Sequence, residues 1–162
     1  MSKNRISIDQ LSLACRHVEE LTAAGVTENL AIRTLELFAD VYAKLHFGGS
    51  ATPHHVEQVP RKQWSIEAKR RKAQYPNARA LDHFRVEHGT PRRAFARAVM
   101  SLYKRGALTE NDMIELATKS WKLAVITLEE DIRLNRIARS RPSSTPDERW
   151  RDAGIAFDEN SN

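Results

Sequence analysis

The sequence predicts an α+β fold that is mainly helical, with about six helices and a small sheet of two strands. Apolar residues recur at helical spacing along most of the chain of 162 residues. Two short β-rich runs occupy residues 81–88 and 121–127, and two helical segments separate them. Because an isolated pair of strands is not stable, we expect helices to pack on this sheet.

The first two helices are predicted to form an antiparallel hairpin. Ser7 or Asp9 caps the first helix and Gly25 ends it. Its predicted buried stripe consists of Leu11, Ala14, Cys15, Val18 and Leu21. The second helix runs from Thr27 to Gly48, and its predicted buried stripe consists of Leu30, Thr34, Leu37, Phe38, Val41 and Leu45. The position of Cys15 on a stripe predicts a buried structural thiol rather than a reactive one.

The amino-acid composition changes in the middle of the chain. Residues 48–61 are rich in Gly, Ser, Thr and Pro and contain the pair His54-His55, which predicts a linker with a weak potential for metal binding. The segment SIEAKRRKAQ, residues 65–74, predicts a short exposed helix that Pro76 terminates. Residues 81–88 follow as the first strand.

Capping signals mark the later helices. Thr90-Pro91 predicts a helix start, with a hydroxyl cap and a proline at the first helical position. Thr109 with Asp112, and Thr127 with Glu130, match the capping box, in which two side chains satisfy helical N–H groups reciprocally. In the last of these helices, Ile132 and Ile137 are predicted to face inward.

These elements divide the chain into four predicted parts. A helical hairpin covers residues 1–47, a loop or linker 48–63, a basic α+β core 64–157, and a disordered tail 158–162.

Composition places the protein among soluble globular chains. It is 41% hydrophobic, carries a net charge of +5 and has a single cysteine. The longest apolar run, at residues 123–126, is far below the roughly 18 residues of a membrane span, and the start of the sequence lacks the apolar region of a secretory signal. We therefore expect a cytoplasmic protein without a membrane partner.

The positive charge is concentrated in the middle of the sequence. Residues 61–105 contain thirteen Lys/Arg against three Asp/Glu, whereas both flanks are mildly acidic. Such a block attracts polyanions such as nucleic acid, and it is also compatible with a solvated basic face or with an acidic protein or membrane surface. The candidate nucleic-acid-binding residues are Lys69, Arg70, Arg71, Lys72, Arg92, Arg93 and Arg97.

Two acidic corners are the candidate chemical site. Glu87 and His88 precede one helix start, and Glu130 and Asp131 follow another. If the two strands pair in parallel, both corners lie at one sheet edge, where a carboxylate and an imidazole could bind a divalent metal or act as acid and base. The alternative is that the acidic residues cap the helix and complement its dipole.

Several common kinds of catalytic machinery are absent from the sequence. It contains no glycine-rich phosphate loop, no Gly-x-Ser-x-Gly and no paired cysteines. This pattern argues against the common nucleotide hydrolases, serine hydrolases and zinc ribbons.

The residues of the two acidic corners belong to a longer sequence pattern. Glu87-His88-x-x-Pro91-Arg92, then Ile126-Thr127-x-Glu129-Glu130-Asp131-x-x-Leu134-Asn135, then Trp150-Arg-Asp-Ala-Gly154-Ile155 resembles a pattern in small uncharacterised proteins of bacteria, phages and plasmids. The resemblance covers roughly residues 82–156 and implies that the corners form one unit with the C-terminal segment packed on it, without implying an activity.

Glu87-His88-x-x-Pro91 is also similar to the opening motif of HNH nucleases. That resemblance implies His88 as a general base, with Glu87 beside it and Glu130 or Asp131 as metal ligands. The sequence departs from the HNH pattern because its proline leads directly into a helix.

Two functional hypotheses follow. The first is a nucleic-acid-associated protein of a mobile element, either a metal-dependent nuclease or a DNA- or RNA-binding factor. The alternative is a non-catalytic helical module for protein–protein interaction or regulation, in which the N-terminal helices form a homodimer or bind a partner.

Overall fold

The computed structural model describes residues 6–47, 56–106, 108–138 and 145–158. The mainly helical fold with a two-stranded sheet is confirmed. No helix in these ranges is long and apolar enough to cross a membrane. The predicted metal-binding pair His54-His55 and nearly all of the predicted tail lie outside the described residues.

The helices and strands follow one another in a simple order. They are α1 (Ile8–Ala23), α2 (Glu28–Ala31), α3 (Arg33–Phe47), α4 (Ile66–Gln74), α5 (Ala80–His83), β1 (Phe84–His88), α6 (Arg92–Lys104), α7 (Glu110–Ser120), β2 (Leu123–Thr127), α8 (Leu128–Ala138) and α9 (Pro146–Asp152). Short 3-10 turns at Val56–Gln58 and Arg61–Gln63 precede α4.

These elements form two compact units, each assembled from two stretches of sequence. The described residues of Met1–Ala51 and Thr90–Trp121 form unit 1, which contains α1, α2, α3, α6 and α7. The described residues of Thr52–Gly89 and Lys122–Asn162 form unit 2, which contains the sheet and the remaining helices. The domain boundaries given above stay a prediction.

The first helix of unit 1 follows its sequence signals. The Ser7 hydroxyl accepts from the Gln10 N–H, and the Gln10 side chain accepts from the Ser7 N–H, which makes a capping box. Gly25 ends the turn at φ 90°, a conformation that favours glycine. Cys15 is buried as predicted, and burial raises the pKa of its thiol to about 12, with a further contribution from Glu19.

The predicted buried face of the second helix is wrong. A break at Ile32 separates α2 from α3. The buried residues are Ala31, Ile32, Leu35, Ala39, Asp40, Tyr42, Ala43 and Lys44. The alanines let α1 and α6 approach this face closely, and larger apolar residues are buried together with them. Two residues of the predicted stripe, Leu30 and Leu37, are 60% and 56% exposed.

The start of α6 also differs from its predicted cap. The helix begins at Arg92 with Pro91 as its N-cap residue, and no side chain caps it. The Thr90 hydroxyl instead donates to the Ser120 carbonyl at 2.7 Å. Phe95 and Val99 on the inner face of α6 are buried in unit 1.

The two strands of unit 2 are antiparallel, so the conditional parallel pairing is wrong. Phe84 pairs with Thr127 and His88 with Leu123. The strands are shorter than predicted, because residues 80–83 form the single-turn helix α5 before β1 begins. The antiparallel register places the end of β1 beside the start of β2 rather than beside the start of α8.

Both faces of β2 are covered, which explains why all five of its residues are buried. On one face lies a core cluster of Val56, Val59, Trp64, Ala68, Phe84 and Val125. On the other lies a cluster of Ala124, Ile126, Leu134, Trp150, Ala153 and Ile155. In α8, Leu134 is buried and Ile137 packs against this second cluster, as predicted for Ile137. Ile132 is 57% exposed, so the prediction for Ile132 is wrong.

Candidate functional site

The end of β1 is held by an arginine from α9. The Arg149 guanidinium donates through Nη1 to the carbonyls of Gly89 and, at 3.3 Å, of His88. Its Nη2 lies 3.6 Å from Glu87 Oε1. The Arg149 side chain is only 8% exposed and that of Glu87 19%, so the ion pair is mostly withdrawn from water. We call these four residues the Arg149 corner.

Gly89 allows α9 to approach this corner. A Cβ atom at Gly89 would lie 2.5 Å from Pro146 Cβ and 3.1 Å from Trp150 Cζ2, distances at which the helix would have to move. The Gly89 N–H donates to the Lys122 carbonyl at 2.8 Å, which extends the pairing of β1 and β2 by one residue. A glycine is therefore needed at position 89 because α9 packs closely against it, and not because of an unusual backbone angle.

The environment of Glu87 opposes its ionisation. Burial raises the pKa of Glu87 to about 7, while the Arg149 charge lowers it and the Asp131 carboxylate raises it. Successive strand residues point to opposite faces of a sheet. Glu87 therefore shares the face of α8 and α9, whereas His88 shares the face of Val86. The side chains of Glu87 and His88 are not aimed at a common substrate position.

Glu130 serves two structural contacts at the start of α8. Its Oε2 accepts from the Thr127 N–H at 2.9 Å and from the Ser65 hydroxyl at 2.7 Å, and the Glu130 N–H donates to the Thr127 hydroxyl. These bonds confirm the predicted capping box. Glu130 is 2% exposed, so its carboxylate joins the start of α4 to the start of α8 from inside unit 2.

The predicted metal ligands do not assemble into a ligand set. Asp131 accepts from the Asn135 amide at 3.1 Å, and Glu130 is engaged as described above. Across the part of the chain that the structure describes, no three His, Cys, Asp or Glu side chains are grouped so that they could hold a metal ion. Asp131 and Glu87 influence each other electrostatically because α8 covers the sheet face on which Glu87 lies.

The four basic candidates on α4 all have carboxylate partners inside unit 2. The pairs are Lys69 with Asp158, Arg70 with Glu67, Arg71 with Glu129, and Lys72 with Glu57. Three of these partners lie outside α4, so the charges connect this helix to its surroundings. The hydrogen bond that the Glu129 carboxylate accepts from its own N–H, together with the Arg71 guanidinium, lowers the pKa of that carboxyl.

The three basic candidates on α6 are paired inside unit 1. Arg97 donates to both carboxylate oxygens of Glu28, at 3.1 and 3.0 Å, and this lowers the pKa of Glu28. Arg93 pairs with Glu36, and Arg92 Nη1 lies 4.0 Å from Asp40 Oδ2. Six of the seven basic candidates therefore pair with acidic residues from outside residues 61–105, each within its own unit, and Arg70 pairs with Glu67 inside that block.

The sequence reasoning missed two residues of the site. Arg149 lies on a helix that the sequence analysis does not identify, although Thr145-Pro146-x-Glu148 has the same capping-box pattern as the other helices. Ser65 was taken only as the start of a basic helix, which it does cap through the Ala68 N–H. Its bond to Glu130 spans 65 positions, and no local pattern indicates it.

Comparisons with known proteins return nothing for this chain. No protein-family model matches it, and neither a curated protein nor a solved structure shows significant similarity to it.

Proposed function

We propose that the protein is a non-catalytic helical interaction module that forms a homodimer through an apolar stripe of α2 and α3. We call this surface the outer stripe, and it consists of Leu30, Thr34, Leu37, Phe38, Val41 and Leu45. The observation that carries the proposal is the exposure of Leu30 on α2 and of Leu37 on α3, at 60% and 56%, while α3 has another face that is already buried.

The outer stripe has the spacing of a helix-pairing surface. Leu37 and Val41 are four residues apart on α3, so they lie on one side of that helix, and Leu30 lies on the preceding helix α2. Covering a half-exposed leucine contributes about 1 kcal/mol. Because association itself costs about 4 kcal/mol or more, a stripe of this size supports a weak dimer rather than a permanent one.

The charge of the stripe favours a second copy as its occupant. None of its six residues is charged, so direct contacts between the stripe residues of two copies bring no like charges together; the exposed Arg33 lies between Leu30 and Leu37 in sequence. The flanking acidic residues Glu28 and Glu36 are already paired with arginines of α6. A like surface can therefore meet this one without leaving a carboxylate unpaired.

Light scattering coupled to size-exclusion chromatography tests the proposal. Leu37→Ser removes the central exposed residue of the stripe without opening the core, and Ile114→Ser is a matched control because Ile114 is 50% exposed on α7 of the same unit. We expect the wild type and Ile114→Ser to dimerise and Leu37→Ser to remain monomeric. A dimer that survives Leu37→Ser, or a monomeric wild type at high concentration, contradicts the proposal.

Nucleic-acid association is the second candidate function. It is favoured by the exposure of several paired arginines: the side chains of Arg70, Arg92 and Arg97 are 65%, 54% and 51% exposed. Exposed ion pairs contribute about 0–1 kcal/mol, so phosphates can replace their carboxylate partners. The exposed arginines of each unit suit a DNA- or RNA-binding factor better than a metal-dependent nuclease, since Glu87 and Glu130 are both engaged within unit 2.

Binding to labelled DNA and RNA at several salt concentrations, with and without Mg²⁺, tests this second function. We expect Arg70→Gln and Arg92→Gln to weaken binding at every sequence, because phosphate contacts carry no base information. Lys119→Gln is the control, since it removes an exposed cation on α7 outside the basic block. Binding that does not depend on salt would contradict the assignment, and cleavage that His88→Ala abolishes would restore the nuclease hypothesis.

A further inference from the structure

A polar cleft in unit 2 lies apart from the Arg149 corner. It has a volume of about 320 Å³, near the lower end of the range for small-molecule sites. Three elements form its walls: α4, the first turns of α8, and the C-terminal segment after α9. Its lining residues include Arg71, Glu129, Glu130, Arg133 and Gly154.

The carboxylate of Glu130 lines this cleft and, within the described ranges, accepts hydrogen bonds through only one of its two oxygens. The side chain is 98% removed from solvent, being 2% exposed, and its Oε2 accepts both the Thr127 N–H and the Ser65 hydroxyl. Among the described residues no donor reaches Oε1, and Glu130 lines the cleft. A carboxylate that lines a cleft favours a hydrogen-bond donor there, most of all a cationic one.

The guanidinium groups of Arg133 and Arg71 also line the cleft. Arg133 donates through Nε to the Ala153 carbonyl at 3.1 Å, which fixes the plane of its guanidinium. Arg71 donates through Nη2 to Glu129 at 3.1 Å. Because an arginine carries five N–H donors, both groups keep donors for an anion.

We propose that this cleft binds a small zwitterion, whose amino or guanidino group is held by Glu130 and whose carboxylate is held by Arg133 and Arg71. The cleft presents both a carboxylate and guanidinium groups within one small volume. A ligand that carries only a positive or only a negative charge therefore contacts only one of the two kinds of group. The site belongs to unit 2 alone and does not depend on the dimer proposed for the outer stripe of unit 1.

Isothermal titration calorimetry on the full chain, with amide NMR to locate the contact, tests this site. The probe is free L-arginine, which carries both charged groups; agmatine lacks the carboxylate and acetate lacks the cation. We expect saturable binding of L-arginine that shifts the amides of residues 127–133 and 154–156. Agmatine and acetate are expected to bind about tenfold more weakly or worse, since each loses one set of charge-assisted hydrogen bonds.

Three variants locate the ligand contacts. Arg133→Gln and Glu130→Gln each remove one charge, and Arg136→Gln is the control, an exposed cation on α8 that does not line the cleft. Circular dichroism first establishes that each variant is folded; Arg133, exposed on α8, provides the test if Glu130→Gln unfolds the protein. Weaker binding in Arg133→Gln with unchanged binding in Arg136→Gln supports the proposal. No saturable binding of L-arginine, or equal binding in Arg133→Gln and the wild type, overturns it.

Discussion

The mostly buried carboxyl of Glu87 should make the protein less stable as the pH rises. The pKa of Glu87 rises from 4.5 to about 7 in the folded protein, chiefly because the group is buried. At about 1.36 kcal/mol per pKa unit, a rise of about 2.5 units corresponds to about 3 kcal/mol. The folded state binds the proton more tightly than the unfolded state, so the free energy of unfolding falls as pH rises from about 4.5 to about 7.

The substitution Glu87→Gln isolates this contribution. A glutamine has the shape of the neutral carboxyl and does not titrate, so Arg149 keeps its bonds to the backbone carbonyls. We expect the variant to match the wild type at about pH 5 and to be more stable at about pH 8. Urea unfolding followed by circular dichroism across this range measures the difference.

Glu115→Gln is the control, since it removes a largely exposed carboxylate on α7. It should leave the pH dependence of the wild type unchanged. A wild type that gains stability between about pH 5 and about pH 7, relative to Glu87→Gln, would show that the ion pair with Arg149 outweighs burial and would refute this reasoning.

Four further substitutions test the packing. Gly89→Ala places a Cβ 2.5 Å from Pro146, and we expect a loss of about 1–3 kcal/mol of unfolding free energy, measured by thermal unfolding. Glu130→Ala removes the carboxylate that accepts two hydrogen bonds, and a loss of about 2–4 kcal/mol is expected in urea unfolding. Leu35→Ala should cost about 3 kcal/mol, because Leu35 is fully buried, whereas Leu37→Ala should change stability by less than about 0.5 kcal/mol; equal losses would contradict the assigned face of α3.

Local signals predicted the helix starts well. The box of Thr109 with Asp112, the box of Thr127 with Glu130, and the cap of Ser7 all appear as hydrogen bonds between residues three positions apart. Such bonds depend on a few neighbouring residues, so the sequence contains all the information they need. The same rule fails at Thr90, whose hydroxyl finds the distant Ser120 carbonyl instead.

The buried face of α3 was mispredicted for a physical reason. Its helix has two apolar sides, one with Leu37 and Val41 and one that combines Leu35 and Tyr42 with the small residues Ala39 and Ala43. Both sides have helical periodicity, and the fold buries the side whose alanines permit a close helix approach. The choice depends on α1 and α6, and the sequence of α3 alone does not contain it.

The candidate site was predicted only in part, because its contacts are distant in sequence. Glu87 was singled out from its own neighbourhood, but its partner Arg149 lies 62 positions later, by the residue numbers. The basic residues of α4 were recognised as a cluster, whereas their counterions, such as Asp158 and Glu129, come from other elements. Strand direction is likewise a tertiary property, and its antiparallel sense moved Glu130 to a different end of the sheet from Glu87.

Sedimentation equilibrium of the wild type over a wide concentration range tests the proposed homodimer most directly. We expect the apparent mass of the wild type to rise from 18.5 kDa toward twice that value as the concentration increases. The double variant Leu30→Ser, Leu37→Ser should stay at the monomer mass throughout. An apparent mass of one chain at all concentrations of the wild type, or a dimer that the double variant retains, would contradict the account.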